Sequence, residues 1–303
     1  MMGKRFILTK KSCRLENDLV EEVIIVSRED NIRIFKDTEK LCKTNQTLVK
    51  AWKNSSANQK LFLEKDEIAC EKNLYESAAK NIVSKKRTFE AAMGYAGKRV
   101  AVLNFASASN PGGGVVNGSS AQEECLCRCS TLYYNLTEDY MWKNFYLPHR
   151  HAANPLHNDD LIYTPDVVIF KSDTAHPELL PETQWMRVNV ITCAAPNLRE
   201  RPSNSYNSGD GNNAVKISDK DLEQLHVKRG RKILEAAAAY KNEIVILGAF
   251  GCGAFMNKPE VVANAYKQLV IEFQNAFETI EFAVYCSPYD DSNFRVFTEK
   301  FKK

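Results

Sequence analysis

The sequence predicts an α/β fold: a mixed, largely parallel sheet flanked by helices, preceded by a mostly helical accessory segment. Three observations lead there. All ten prolines fall after residue 97, and residues 1–95 hold only two glycines, so the texture of the chain changes near residue 95. Beyond that point apolar strand-like runs alternate with helical patterns, as in parallel sheets built from crossover units. The composition, 44% hydrophobic and 26% charged over 303 residues, buries a substantial core in one large domain or two modest ones. The expected division is an accessory segment over 1–95 and a main domain over 96–303.

The elements follow in order. Val23-Ile24-Ile25-Val26 and Ile32-Arg33-Ile34-Phe35 read as short strands. Asp66 to Phe89 reads as a helix, with Leu74, Ala78 and Ile82 at helical spacing. Arg99 to Phe105 is a buried strand, and a helical pattern covers 120–135. Asp166–Phe170 and Val188–Thr192 are strands, and Arg201 to Asn213, rich in Ser, Asn and Gly, is a long loop. A helix over 218–241, the strand Glu243–Leu247, a helix over 260–277 and the strand Phe282–Tyr285 complete the pattern. In the last helix Val262, Tyr266, Leu269, Val270, Phe273 and Phe277 share one face. Ligands in such folds sit at the carboxyl ends of strands, which directs attention to the loops after residues 105 and 247.

Several classes are excluded or disfavoured. No run approaches the roughly 18 uninterrupted apolar residues of a membrane-spanning helix. A formal net charge of +3 is too near neutral to mark a nucleic-acid binder. The apolar run Phe6-Ile7-Leu8 is too short for a secretory leader, and Gly3 sits one position too late for myristoylation. The five basic residues before Glu16 read as a solvated tail rather than an organellar presequence. Nine cysteines, with no CxxC spacing, suit reduced thiols in the cytoplasm, with the nucleus open for a eukaryotic source. Cys125, Cys127 and Cys129 read as buried small residues rather than a soft-metal site. His149 and His151 near Asp159 and Asp160 read as solvated loop residues, and no metal is expected.

Two stretches carry chemistry. The first is Asn104-Phe105-Ala106-Ser107-Ala108-Ser109-Asn110-Pro111-Gly112-Gly113-Gly114, followed after seven residues by Gln122-Glu123-Glu124. Three glycines at a strand's end let backbone amides approach a ligand closely, and a helix starting soon after adds positive partial charge. A hairpin tip would be equally glycine-rich. Ser120-Ala121-Gln122-Glu123 matches a capping box, in which Glu123 would satisfy backbone donors. Glu124, about 100° further round the helix, needs an environment of its own. A carboxyl group partly removed from water beside a second acid holds its proton more tightly and can protonate a departing sugar oxygen. Two adjacent glutamates on a solvated surface read the same way in sequence.

The second stretch is Leu247-Gly248-Ala249-Phe250-Gly251-Cys252-Gly253-Ala254-Phe255, then Asn257-Lys258-Pro259-Glu260. It leaves a strand, turns on glycines and enters a helix, with Asn257 available as N-cap and Pro259 in the first turn. That arrangement cradles a phosphate or diphosphate. It lacks the Gly-Lys-Ser/Thr of a Walker A loop and the GxGxxG of a dinucleotide fingerprint. Phe250 and Phe255 either stack on a ligand or plug the core.

Together, VLNFASASNPGGG and QEE at seven-residue spacing resemble the GGG-X(6–8)-QEE signature of poly(ADP-ribose) glycohydrolases. The surrounding words look like the microbial type of that family, whose catalytic core is a macrodomain. Tyr163–Phe170, Ile191–Asn197, the GAFGCGAF loop and the Ser287-Pro288…Asp291-Ser292-Asn293-Phe294 ending are also similar, so the resemblance spans roughly residues 98 to 297. It implies a macrodomain-like catalytic domain with Glu124 as catalytic glutamate and Glu123 as the neighbour that holds the terminal ribose. The substrate-binding positions it implies are Asn104, Asn110, Gly112, Gly113, Gly114, Gln122, Gly251, Cys252, Gly253, Ala254 and Phe255. Ala249 and Phe250 stand where the vertebrate-type loop has asparagine and tryptophan.

The resemblance further implies metal-independent hydrolysis of ribose–ribose O-glycosidic bonds in poly(ADP-ribose), releasing ADP-ribose, with no cofactor. Expected partners are the polymer or an ADP-ribosylated protein, with neither nucleic acid nor membrane involved, and the expected state is a monomer. Two alternatives share the loops: a hydrolase for single ADP-ribosyl groups on protein or nucleic acid, and a non-catalytic ADP-ribose-binding macrodomain.

Overall fold

Strands β1 (Lys60–Phe62), β2 (Lys80–Ser84), β3 (Val100–Phe105), β4 (Leu161–Ile169), β5 (Met186–Cys193), β6 (Ile244–Leu247) and β7 (Thr279–Ala283) form one sheet. Its order is β1-β4-β5-β3-β6-β7-β2, and the four pairings from β5 to β2 are parallel, while β1 and β5 run antiparallel to β4. The computed structural model describes residues 26–204, 208–287 and 289–302. The mixed, largely parallel sheet is the one expected.

The central strands are rich in buried apolar residues, among them Val100, Val102, Val190, Ile191 and Ile246, because helices cover both faces. One face carries α8 (Asp219–Ala239), α9 (Pro259–Glu272) and α10 (Ser292–Phe301), with Ile233, Tyr266, Leu269, Phe273 and Phe297 in a shared core. On the other face, α3 (Thr88–Met93), α4 (Gln122–Cys129) and α5 (Leu132–Leu136) pack Phe89, Leu126 and Leu132 against Val100, Val102 and Ile246. The apolar face foreseen for 260–277 is buried throughout. The long helix expected over 120–135 is two, because Ser130 is extended and bridges to Ile169 between them.

The N-terminal segment differs most from expectation. Val23 to Ile25 lie outside the described residues. Ile32–Phe35, expected as a strand, belongs to α1 (Arg28–Thr44), which Ser27 and Asp30 start with a reciprocal capping box. Asn31, Phe35, Thr38 and Cys42 recur at helical spacing and form its buried face. α2 (Gln46–Ala57) follows directly, with Asn45 as N-cap. The helix expected over Asp66–Phe89 is absent. Residues 66–79 run irregularly along the molecule, pinned by hydrogen bonds from the Tyr75 and Ala79 amides to Asn275 and Gln274 carbonyls. The β-branched Ile82 and Val83 then extend into β2 beside β7, where edge pairing outweighs an apparent helical spacing. Both edge strands, β1 and β2, therefore come from before residue 95.

Between α5 and β4, three short helical pieces cover one end of the sheet: α6 (Asp139–Met141), a wider turn over Trp142–Tyr146, and α7 (Leu147–Ala152). Pro165 and Asp166 form a bulge in β4 that carries Asp166 to a φ of 56°. No helix among the described residues is long and apolar enough to cross a membrane.

Candidate active site

The loop leaving β3 turns sharply. The Ser107 hydroxyl accepts hydrogen bonds from the amides of Ser109 and Asn110, and the Gly113 amide donates to the Asn110 carbonyl. Gly112 and Gly113 take φ values of 68° and 58°, where side-chain-bearing residues are strained. The space is as restrictive as the backbone: a Cβ on Gly112 would lie 2.7 Å from the Tyr133 ring.

Behind this loop α4 presents its first turn. Glu123 is 2% exposed; its Oε2 accepts from the Ser107 amide at 2.8 Å and its Oε1 from Asn104 Nδ2 at 3.1 Å. The expected capping box does not form: Ala121 is the N-cap, and Glu123 is used across to the β3 loop. Glu124, 7% exposed, accepts at Oε1 from the Gly114 amide at 2.8 Å. Its buried Oε2 has no hydrogen-bond partner among the described residues. Burial, followed by the nearby Glu124, pushes the Glu123 carboxyl up to about 8, against hydrogen bonds from Ser107, Asn104 and Gly112. Burial likewise raises Glu124, opposed first by the Gly114 amide.

Gln122 braces the site: its Oε1 accepts from the Phe105 amide, and its Nε2 donates to Thr88 Oγ1 and the Leu103 carbonyl. Asn104 is fully buried and bonds Glu123 and Thr192. Asn110 is held by Arg150 and itself donates to the Ser208 carbonyl, stitching the glycine loop to the 201–213 loop.

The loop after β6 forms the facing wall. Phe250 is fully buried against Phe105 and His226, so it plugs the core. Phe255 stays half-buried beside His157 and Arg199. Gly251 sits at φ 78°, and a Cβ there would lie 2.6 Å from both Ala195 Cβ and Asn257 Nδ2. Asn257, expected as the N-cap of α9, is instead the brace of this loop. Its Nδ2 donates to the carbonyls of Pro196, Gly251 and Phe255, while His226 meets its Oδ1 at 2.9 Å; the N-cap is Lys258.

The two walls bound one cleft of about 1030 Å³ at the carboxyl ends of the parallel strands. Of the expected residues, Gly113, Gly114, Gln122, Glu123, Glu124, Gly251, Gly253, Ala254 and Phe255 line it. Asn104, Asn110, Gly112 and Cys252 stand behind the lining; Asn104 and Gly112 are buried, and Cys252 packs against the core. Residues not singled out in the sequence also line it: Ser107, Arg199, Tyr285 and Arg87, whose guanidinium lies 4.0 Å over the Tyr285 ring. Arg28 and Asn31 of α1 reach the cleft too, and Asn31 Nδ2 donates to the Gly118 carbonyl. No spacing in the sequence signals these positions, which converge only through the topology.

His149 and His226 are structural. His149, expected to be solvated, is buried between the Phe145 carbonyl and Asn158 Oδ1, because residues 147–152 form a helix whose turn brings it back against the Phe145 ring. His151 is exposed as expected. Cys127 and Cys129 are buried, and Cys125 lies against Arg87 and Arg128. Among the described residues no cluster of three or more His, Cys, Asp or Glu side chains is disposed to hold a metal ion.

Residues 18–172, which include the glycine loop and both glutamates, match the family model described as microbial-type PARG, catalytic domain. The chain belongs to the microbial-type poly(ADP-ribose) glycohydrolases. It is thus a glycosidase, and solved structures of poly(ADP-ribose) glycohydrolases share its fold over most of both chains. The enzyme from Thermomonospora curvata is 27% identical with a TM-score of 0.77, covering 90% of this chain and 100% of that one. The same enzyme bound to the inhibitor ADP-HPD is 28% identical with a TM-score of 0.75 over the same coverage. The enzyme from Deinococcus radiodurans in complex with ADP-ribose is 31% identical with a TM-score of 0.69, covering 82% of this chain and 96% of that one. No curated protein matches the chain in sequence. This glycohydrolase has both glycine loops and the glutamate pair on one cleft.

Proposed function

We propose that the chain hydrolyses the ribose–ribose O-glycosidic bond at the end of poly(ADP-ribose), releasing ADP-ribose, with Glu124 as general acid and then general base. The observation that carries this is the state of Glu124: one carboxyl oxygen fixed by the Gly114 amide, the other buried and unpartnered among the described residues, on the wall of the cleft. A carboxyl so desolvated holds its proton more tightly and can donate it to the leaving oxygen as oxocarbenium character develops. The carboxylate left behind then takes a proton from the attacking water, so one group serves both steps.

Glu123, rigidly held by Ser107 and Asn104, accepts hydrogen bonds from the terminal ribose and orients its anomeric carbon. Gly113 and Gly114 on one wall, with Gly251, Gly253 and Ala254 on the other, let backbone amides reach the diphosphate, and Phe255 packs against the sugar. Gly112, Gln122, Asn104, Asn110 and Cys252 serve by holding these walls. The chain acts as a monomer, in the cytoplasm, on polymer attached to protein. Incubating the protein with purified poly(ADP-ribose) and separating products by chromatography tests this: free ADP-ribose should accumulate, and polymer left intact under conditions where ADP-ribose binds would refute it.

A further inference from the structure

The cleft extends along the sheet, and its two ends differ in chemistry. In sheet order its wall runs from Ala195 and Arg199 after β5, through the loops after β3 and β6, to Tyr285 after β7 and Arg87 after β2. The Arg87–Tyr285 pair, with the guanidinium 4.0 Å from the ring centre, makes a flat shelf suited to a purine base. With the base there and the diphosphate between the central loops, the sugar whose bond breaks faces the β5 end, as does whatever departs from it.

Arg199 stands at that end, held on both sides. The adjacent Leu198 amide donates to the Phe255 carbonyl at 2.9 Å, and the Arg199 guanidinium lies 5.7 Å from the centre of the Phe255 ring. Its Nε donates to Asn197 Oδ1 at 3.1 Å and its Nη2 to the Pro202 carbonyl, while Nη1 has no partner among the described residues. The aim is rooted deep in the fold. Asn197, fully buried, donates to the Asp210 carboxylate, which also accepts from the Ser109 hydroxyl of the glycine loop. An arginine side chain anchored through Nε and Nη2 thus lines the cleft at this end.

We infer that Arg199 is a specificity-determining residue that binds the diphosphate of the departing ADP-ribose unit and so favours polymer ends over single ADP-ribosyl groups. The inference rests on the hydrolase reading of the cleft. In the polymer the leaving oxygen belongs to the ribose of the next unit, whose 5′-diphosphate lies one sugar ring from the broken bond. A guanidinium is matched to that dianion in charge and shape, and a single ADP-ribosyl group presents nothing equivalent.

The test compares wild type with Arg199→Ala and Arg199→Lys on three readouts: steady-state kinetics on polymer, calorimetric binding of free ADP-ribose, and cleavage of ADP-ribose carrying an uncharged chromogenic leaving group. Loss of one charge-assisted contact predicts a KM for polymer raised about tenfold in the alanine variant, with kcat within about twofold and partial recovery with lysine. Binding of free ADP-ribose and cleavage of the uncharged probe should stay within about twofold of wild type, as both lack the departing diphosphate. An unchanged KM for polymer would overturn the inference. So would a parallel loss of ADP-ribose affinity, which would put Arg199 on the terminal unit instead. Wild type that binds ADP-ribose yet leaves polymer uncut would remove the hydrolase reading itself, and this inference with it.

Discussion

Gly113 and Glu124 are in intimate contact: a Cβ built on Gly113 would stand 2.5 Å from Glu124 Oε1 and 3.1 Å from Glu123 Oε2. The glycine loop therefore does more than approach a ligand. It shapes the space in which both carboxyl groups sit, and the next amide, that of Gly114, fixes Glu124 directly.

Gly113→Ala accordingly strikes the catalytic pair and the backbone together. A φ of 58° strains an alanine by about 1–2 kcal/mol, and the added methyl displaces both carboxyl groups. ADP-ribose release should fall by about 100-fold, the scale of general acid–base catalysis, with a modest loss of stability. Kinetics on polymer together with a denaturant titration check both parts, and activity within twofold of wild type would show that the contact is relaxed in solution.

Burial raises both glutamates, and Glu123 reaches about 8. Because burial raises the general acid Glu124, the rate of the chemical step should decline as pH rises beyond the ordinary carboxyl range and that acid is consumed. Stability carries the same sign. Between the ordinary carboxyl value near 4.5 and about 8 the folded chain binds more protons than the unfolded chain, so this contribution falls as pH rises through that window. Glu123→Gln should flatten the slope, and chemical denaturation at several pH values reads it.

Asn257→Ala removes three hydrogen bonds to loop carbonyls and the partner of His226 at once. Leaving such groups buried and unsatisfied costs on the order of 2–4 kcal/mol. The loop that would hold the diphosphate should loosen, weakening ADP-ribose binding alongside the fall in melting temperature. Calorimetry on a variant that remains folded separates the two effects; unchanged affinity would mean the loop keeps its shape without this brace.

Arg229, 1% exposed, is paired with Asp159 at 2.9 Å and donates to the Ala194 carbonyl at 2.7 Å just beyond β5. Arg229→Ala leaves the buried Asp159 with only the exposed Lys228, at 2.8 Å, as a cationic partner, and should cost about 3 kcal/mol, the low end for breaking a buried pair. Asp159→Asn should cost less, since the asparagine Oδ1 can still accept from Arg229 and the Ala194 and Leu156 carbonyls keep accepting from its guanidinium. Urea unfolding of both variants tests the order.

The sheet's centre was legible because β3, β5 and β6 are dominated by β-branched and other apolar residues, whereas β7, interrupted by Glu281, was read too late, at Phe282–Tyr285 instead of Thr279–Ala283. The edges were not legible. Residues 80–84 look helical in isolation and become a strand only because β7 offers an edge, while Ile32–Phe35 looks like a strand until Asn31, Thr38 and Cys42 are seen to share its buried face. At the site, Gly112–Gly114 and Gln122–Glu124 stood out because a glycine turn and a helix start are local features. Asn257 stood out too, but as an N-cap instead of a brace, and the bracing partners of Gln122 were not visible, since Thr88, Leu103, Pro196 and His226 are distant in sequence. Arg87, Tyr285 and Arg199 were invisible for the same reason.

The most direct test of the account is single-turnover cleavage of poly(ADP-ribose) by Glu124→Gln, with ADP-ribose binding measured on the same preparation. Removing a general acid that also activates water predicts cleavage at least ~100-fold slower with binding retained. Cleavage near the wild-type rate would contradict the role assigned to Glu124.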